Sequence, residues 1–311
     1  MVVFGGIIFT FLNLPASAPL YAATPSGADT YLVSIMRLGK VENQFCAFLT
    51  MQNGEYLLKS ESHHDITISP EIPAKGLTSG KYVFKLKHQN LKTESVSAVG
   101  TLRGDIFTLV GKSATDIQLV PQSCGNEPTP VSGWYSPFKD KSRETYASIS
   151  RRLVSRFGDS RVAGENGHIH AGIDLKGTFS EAVYPIANGL VLALSFKELN
   201  GMLLIKHRLQ DGKAVYSKYI HIRNIPVSVG QQVTADTKIG RVFDKREFKK
   251  SRFKHNHLHL EIRKDYDDKG TDSSYGTTKK MIEQHCYDPG EFLREHLSGV
   301  KASHSQGEAT R

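Results

Sequence analysis

The stretch HNHLHLEIRK, residues 255–264, places histidine at three alternate positions. Residues two apart lie on the same face of a β-strand, so His257, His259 and Glu261 would share one face while leucine and isoleucine occupy the other. Imidazole both binds zinc and transfers protons near neutral pH. The pattern therefore favours a strand with metal-binding or acid–base residues on one side and core residues on the other.

A second segment, HAGIDLKGT, places His170 four residues before Asp174. The even separation is compatible with one face of an extended strand, and imidazole and carboxylate are both zinc ligands. Taken alone the match is weak, because His207 and Asp211 repeat the spacing where a strand is predicted to enter an Asp-Gly hairpin turn. His-x-His also occurs three times, starting at residues 168, 255 and 257. Each match alone is equally compatible with a histidine that is hydrogen-bonded in the core or exposed at the surface and binds no metal.

Taken in order, several segments closely resemble the M23 metallopeptidases, the lysostaphin-type peptidoglycan endopeptidases. These segments are SRFGD, HAGIDLKGT, VYPIANGLVLAL, KYIHI, VSVGQQVTADTKIGRV and HLHLEIR, and they lie between about residues 150 and 295. The resemblance implies that His170, Asp174 and His259 hold one Zn²⁺ per chain and that His221 and His257 are the catalytic histidines. It does not say which histidine is the base and which stabilises the oxyanion.

This ligand set has the chemistry of a catalytic site. Two histidines and one carboxylate leave one tetrahedral position open, and the absence of a nearby cysteine argues against a structural zinc finger. Amide hydrolysis also needs a proton acceptor and an oxyanion stabiliser. His257 lies two residues from His259 on one predicted face, and His221 ends the alternating run YSKYIHI with Tyr219 on its predicted face. Glu261 either orients a ligand or is a solvated strand residue.

The elements that must position these residues are mostly strands. The 311 residues leave room for about two domains. Short alternating runs before Gly125, such as QFCAFLTM and KYVFKLKH, predict a small β-sandwich-like domain or a barrel. We predict a mainly β chain, with a β-rich accessory domain followed by a linker, an antiparallel β-sheet metallopeptidase domain and a disordered tail, at residues 24–125, 126–137, 138–298 and 299–311. The stretch KSRETYASISRRLVSRFG, residues 141–158, is predicted to be helical.

Residues 1–23 have the pattern of an export signal, in which an apolar run precedes small residues, with cleavage predicted after Ala22 or Ala23. No basic residue precedes the apolar run, so a buried N-terminal strand is the alternative. In an exported protein Cys46 and Cys124, which bracket most of the N-terminal half, are the favoured disulfide, with Cys286 left over.

The net charge of +9 makes an anionic partner plausible. Six Lys or Arg lie between residues 245 and 254, where the M23 family has a short turn rich in small residues. This basic loop is predicted either to hold anionic wall polymers or to be simply solvated. No nucleic-acid-binding module accompanies it, and no apolar stretch after the N-terminus is long enough for a transmembrane segment. We expect a monomer.

The predicted function is that of a zinc-dependent endopeptidase that hydrolyses peptide cross-bridges of bacterial peptidoglycan, in the periplasm or the extracellular cell envelope. One alternative is a non-catalytic peptidoglycan-binding or regulatory M23-like protein, although such relatives typically lack ligand residues. Another is a wall dipeptidase or carboxypeptidase, which would need a longer His-to-Asp spacing. The pattern does not identify the cross-link that is cleaved.

Overall fold

The computed structural model describes residues 29–60, 66–71, 76–87, 93–112, 114–161, 168–251, 253–265 and 278–297. The predicted export signal at 1–23 and the predicted tail at 299–311 lie outside the described residues. Within the described ranges, no helix has the length and apolar character needed to cross a membrane.

The N-terminal part is one antiparallel sheet that closes on itself. Each strand pairs with the next, and the first strand pairs with both the second and the eighth. Of the two architectures predicted, the barrel is therefore observed. Alternate side chains fill its interior, including the fully buried Phe45, Phe84 and Phe107. The strands are β1 Asp29–Arg37, β2 Lys40–Gln52, β3 Glu55–Lys59, β4 Ile66–Pro70, β5 Gly80–Lys87, β6 Thr93–Arg103, β7 Ile106–Gly111 and β8 Thr115–Pro121.

The predicted disulfide is confirmed. Cys46 on β2 is bonded to Cys124, which follows β8, with their Cα atoms 5.6 Å apart. The bond closes a loop with a sequence separation of 78 residues, for which the chain-entropy model gives a stabilisation of about 4 kcal/mol. Cys286 is a buried free thiol.

The C-terminal part is built on a second run of antiparallel strands in the order β14-β15-β16-β19-β12-β9. One face of this run covers a core that includes Ile205, Val215 and Leu260. The elements are α1 Ala147–Ser150, β9 Leu153–Ser155, β10 Ser160–Arg161, β11 His168–Ile169, β12 Ile173–Lys176, β13 Ala182–Val183, β14 Gly189–Ser195, β15 Met202–Arg208, β16 Ala214–Ile220, β17 Gln232–Val233, β18 Gly240–Arg241, α2 Lys245–Ser251, β19 His257–Arg263, α3 Lys279–His285, β20 Cys286–Tyr287 and α4 Pro289–Leu297.

The two parts share one continuous sheet. Strand β2 pairs with β14, where Phe45 lies opposite Ala193. Leu192, Leu204 and Ile220 of the C-terminal sheet belong to the same apolar cluster as the interior of the closed sheet. Strand pairing and core packing therefore continue across the boundary predicted near Gly125.

The helix predicted over residues 141–158 is wrong in extent. The helix α1 has four residues, and Leu153–Ser155 forms the edge strand β9 instead. The spacing of Ile149, Leu153 and Phe157 imitates a helical period. Strand β9 pairs with β12, however, and this pairing across the sheet outweighs the weak local preference for helix.

Candidate metal centre

Two of the predicted ligands lie opposite one another in the sheet. Asp174 on β12 is the register partner of His259 on β19. Residues directly opposite in an antiparallel pair project from the same face, so the carboxylate and the imidazole meet there. Their strand neighbours Ile173 and Leu260 project into the core on the other face. The alternation predicted for β19 is confirmed.

His170 approaches from the other side of a bend at Gly172, and its backbone N–H donates to the carbonyl oxygen of Asp159. Its Nε2 lies 2.9 Å from His259 Nδ1 and 3.1 Å from Asp174 Oδ1, and these last two atoms are 3.0 Å apart. All three side chains are buried. Within the described part of the chain, they are the one group of three His, Cys, Asp or Glu residues able to hold a metal ion.

The tautomers of the two imidazoles follow from their outer partners. His170 Nδ1 lies 2.7 Å from the carbonyl oxygen of Arg156, and His259 Nε2 lies 3.1 Å from Glu261 Oε1. A carbonyl or carboxylate oxygen only accepts, so these two ring nitrogens carry the protons. When the two rings are neutral, the lone pairs of His170 Nε2 and His259 Nδ1 therefore face the Asp174 carboxylate oxygen. Three acceptors converge on one point, an arrangement that a cation stabilises.

The donor set fits a zinc ion. Tetrahedral bonds of about 2.0–2.1 Å would separate the ligand atoms by about 3.3 Å, close to the separations found here. When the two imidazole rings are instead protonated on the nitrogens that face Asp174, burial acts to raise the pKa of that carboxyl, but the hydrogen bonds from His170 and His259 outweigh it and hold that pKa well below its usual range. Burial alone would lower the pKa of His259, but the hydrogen bonds to Asp174 and Glu261 raise it to about 9. The centre therefore favours positive charge.

Two further histidines adjoin this group. His257 donates through Nδ1 to its near neighbour, the carbonyl oxygen of His255, at 2.7 Å, and its Nε2 lies 3.8 Å from Asp174 Oδ1. The Nδ1 of His221 lies 2.9 Å from the carbonyl oxygen of Leu199, and its ring centroid is 5.0 Å from that of His257. Burial, reinforced by the nearby ring of His257, lowers the pKa of His221 to about 3, so this imidazole is neutral near pH 7.

His221 reaches the centre by an unusual backbone conformation. Strand β16 ends at Ile220, which pairs with His259 and shares its face. Strict alternation would place His221 beside Tyr219, which is buried in the opposite core. Instead His221 adopts φ of +65°, and its ring lies 6.3 Å from that of His259. The prediction that Tyr219 shares its face is wrong. A left-handed non-glycine residue costs free energy, and such strain concentrates at functional sites.

Residues 168–273 match the model of Peptidase family M23. About a third of this chain thus matches the M23 peptidase family. No curated protein matches the chain.

Solved structures with likeness to the chain include three peptidases. The solution structure of lysostaphin is 18% identical, with 54% of this chain and 57% of that chain covered and a TM-score of 0.36. The catalytic domain of lysostaphin from Staphylococcus simulans is 18% identical, with 48% and 98% covered and a TM-score of 0.34. A zinc containing peptidase from Vibrio cholerae is 17% identical, with 80% and 86% covered and a TM-score of 0.33. The match thus spans little more than half of the first lysostaphin chain.

Position 172 needs glycine for a steric reason. A Cβ atom there would overlap the carbonyl oxygen of Leu260 and lie 2.9 Å from Nε2 of His259. The bend that carries His170 toward Asp174 thus passes against the neighbouring strand and ligand ring. Position 172, midway between His170 and Asp174, must therefore lack a side chain.

We expect Gly172→Ala to weaken metal binding by about 10–100-fold, as loss of other support for a ligand does, while leaving the chain folded, because either β19 or the His259 ring must move. Chelator competition measures the affinity, and circular dichroism checks the fold. Gly212→Ala is a matched control, since that turn glycine has open space around its Cβ position, although its φ of +83° adds some strain. Wild-type affinity in Gly172→Ala would contradict this steric account.

The repeated His-x-x-x-Asp spacing does not form a second centre. His207 is fully buried, and its ring nitrogens lie 2.8 Å from the carbonyl oxygen of Asn188 and 2.7 Å from Ser217 Oγ. Burial lowers the pKa of His207 to about 4. Asp211 lies in the exposed hairpin turn and pairs with Lys213. The pair is therefore a core histidine followed by a turn residue, in agreement with the predicted hairpin.

The structure adds residues that the sequence pattern did not single out. The ring of Phe253 lies 4.6 Å from that of His221 and 5.1 Å from that of His257, so it forms an apolar wall over both. The segment predicted as a basic loop contains the helix α2. Carbonyl groups that orient the histidines leave no trace in residue types, so no sequence signal could have identified them.

Proposed function

We propose that the chain is a zinc-dependent endopeptidase that hydrolyses peptide cross-bridges of bacterial peptidoglycan. The observation that carries this proposal is the convergence of three buried acceptor atoms beside two further histidines. His170, Asp174 and His259 would hold the ion, which when bound supplies Lewis-acid activation of water and of the scissile carbonyl. The M23 domain supports the reaction class, and the resemblance to the peptidoglycan endopeptidases of that family supports the substrate.

The chain's own residues supply the proton chemistry. His221 and His257 each donate through Nδ1 to a backbone carbonyl, so each carries a lone pair on Nε2, and Nε2 of His257 lies 3.8 Å from Asp174 Oδ1. A neutral imidazole accepts a proton from the attacking water and returns it to the leaving amine. Between these two transfers the protonated ring also stabilises the oxyanion that develops on the scissile carbonyl. Phe253 packs against both rings and excludes water from one side.

Digestion of purified bacterial wall tests this function. Zinc-loaded protein is expected to release fragments with new amino termini and intact glycan, identified by mass spectrometry, and chelation followed by zinc should remove and restore the activity. Asp211→Asn, in the exposed hairpin turn, is the control and should cleave normally. Bound zinc with no cleavage of any wall would favour the non-catalytic, peptidoglycan-binding alternative.

We also propose that α2 and the residues after it contact anionic wall polymers. Lys245, Lys249 and Lys250 are exposed on this helix. Its one acidic residue, Glu247, is engaged by Arg241 at 2.6 Å, which leaves the outer surface positive. Binding to walls that retain their anionic polymers should exceed binding to stripped walls and weaken with salt. Equal binding to intact and stripped walls would show that α2 is simply exposed to solvent and does not contact the polymers.

Export is proposed from the pattern of residues 1–23, and the Cys46–Cys124 disulfide supports an oxidising compartment. Protein recovered from the cell envelope is expected to begin between Pro19 and Thr24, as determined by N-terminal sequencing. Recovery of cytoplasmic protein that begins at Met1 would refute export.

A further inference from the structure

Glu261 lies behind the candidate metal centre, two residues after His259 on β19. Its side chain is completely buried. One carboxylate oxygen, Oε1, accepts from His259 Nε2 at 3.1 Å, and the other, Oε2, accepts from Arg263 Nη1 at 2.8 Å. The register partner of Glu261 on β16 is Lys218, which is also buried. The carboxylate is thus enclosed by an imidazole and two cations.

This enclosure decides the charge of the group. A buried carboxylate is costly unless cations and hydrogen bonds compensate it. Here Arg263 bonds directly to it, and Lys218 lies opposite it across the strand pair. The cluster therefore favours a carboxylate anion, which can only accept at its contact with His259.

Glu261 differs in kind from the groups that orient the other histidines. The acceptors for His170, His221 and His257 are the backbone carbonyls of residues 156, 199 and 255. For His259 the acceptor is a side chain. His170 Nδ1 also has a side-chain contact, the longer 3.4 Å to Ser155 Oγ, so among the four histidines of the centre, within the described part of the chain, His259 is the one whose shortest outer contact can be removed by mutation.

We infer that Glu261 is a positioning residue that fixes the tautomer and ring orientation of His259 and so tightens metal binding, with Lys218 and Arg263 holding it in place. The inference rests on the metal site of the proposed function and deepens it. A rival explanation is that Glu261 belongs to an ion cluster that only stabilises the sheet. The two explanations differ in whether metal affinity or the stability of the metal-free fold responds to its loss.

The test is Glu261→Gln in the full chain. Glutamine preserves the shape but loses the charge and can turn its NH₂ group toward His259, which weakens the control of the ring. Loss of such an outer partner typically reduces metal affinity by about 10–100-fold, and we expect that loss in chelator competition with zinc. The absorption spectrum of the Co²⁺-substituted protein should also change, because the ligand geometry relaxes.

Two further variants keep the test decisive. Glu261→Gln alone leaves the buried Lys218 without its opposing negative charge, which could prevent folding. If it does, the double variant Glu261→Gln with Lys218→Met, which removes that cation as well, is used for the same measurements. Glu181→Gln is the matched control, because Glu181 also pairs with an arginine, Arg152, at 2.8 Å. It should lower thermal stability and leave zinc affinity and the cobalt spectrum unchanged.

The outcomes separate this inference from the proposed function. A wild-type chain that binds no zinc would overturn the metal site and the inference with it. Zinc binding by the wild type with unchanged affinity and cobalt spectrum in the Glu261 variants would overturn the positioning role and leave the site standing. Lower stability of the metal-free protein with unchanged affinity would assign Glu261 to a structural ion cluster.

Discussion

Alanine at His170, Asp174 or His259 is expected to remove bound zinc and wall cleavage together. Each substitution deletes one of three atoms that lie within 3.1 Å of one another in a buried cluster. Two remaining ligands leave the ion poorly held, since catalytic zinc sites use three protein ligands. Elemental analysis of metal content and turnover on wall, measured on the same preparations, check this expectation.

The control for these variants must be an exposed residue, because a substitution in the core could abolish activity by unfolding the chain. His207→Ala would leave Ser217 Oγ without its contact to the buried imidazole and a cavity in the core, so the loss of activity could come from unfolding. Asp211→Asn changes an exposed turn residue and is expected to keep both zinc and activity. Zinc retained in His259→Ala would show that this residue is not a ligand and would move the assignment to a different histidine.

The sequence predicted those parts of the centre that depend on strand periodicity. Alternation along HLHLEIR places His257, His259 and Glu261 on one face, and the structure confirms it. Periodicity could not predict the role of Glu261, because it does not show whether this face of the strand is buried or exposed to solvent. Burial depends on Lys218 and on the packing around β19, which arise from strand pairs distant in sequence.

Periodicity failed where the backbone leaves the regular strand. His221 reaches the metal face through a left-handed conformation that alternation does not anticipate. Leu153 lies in a strand although its spacing from Ile149 suggests a helix, because the edge of β12 is available for pairing. Both errors have the same origin: long-range contacts decided a local conformation.

The continuity of the sheet changes the expected role of the N-terminal part. Strand β2 supplies hydrogen bonds to β14, and the closed sheet covers Leu192 and Leu204 of the C-terminal sheet. Ile220, at the end of β16, joins this apolar cluster and also pairs with His259 of the candidate metal centre. The N-terminal part therefore supports the strand that borders the metal centre.

Alanine at His221 or His257 is expected to leave about one zinc per chain and to lower the rate of wall cleavage by ~10²–10⁴, the usual effect of losing a general acid or base. Neither ring belongs to the group of three side chains able to hold a metal ion, yet the His221 ring lies 6.3 Å from that of His259 and His257 Nε2 lies 3.8 Å from Asp174 Oδ1. His221→Asn provides a matched variant, because asparagine tolerates the left-handed backbone at this position and lacks only the imidazole. It should retain zinc and the thermal stability of the wild type while losing activity to the same degree as alanine. Zinc content and single-turnover cleavage are measured together. Loss of zinc in His257→Ala, with activity following metal content, would instead identify His257 as a ligand.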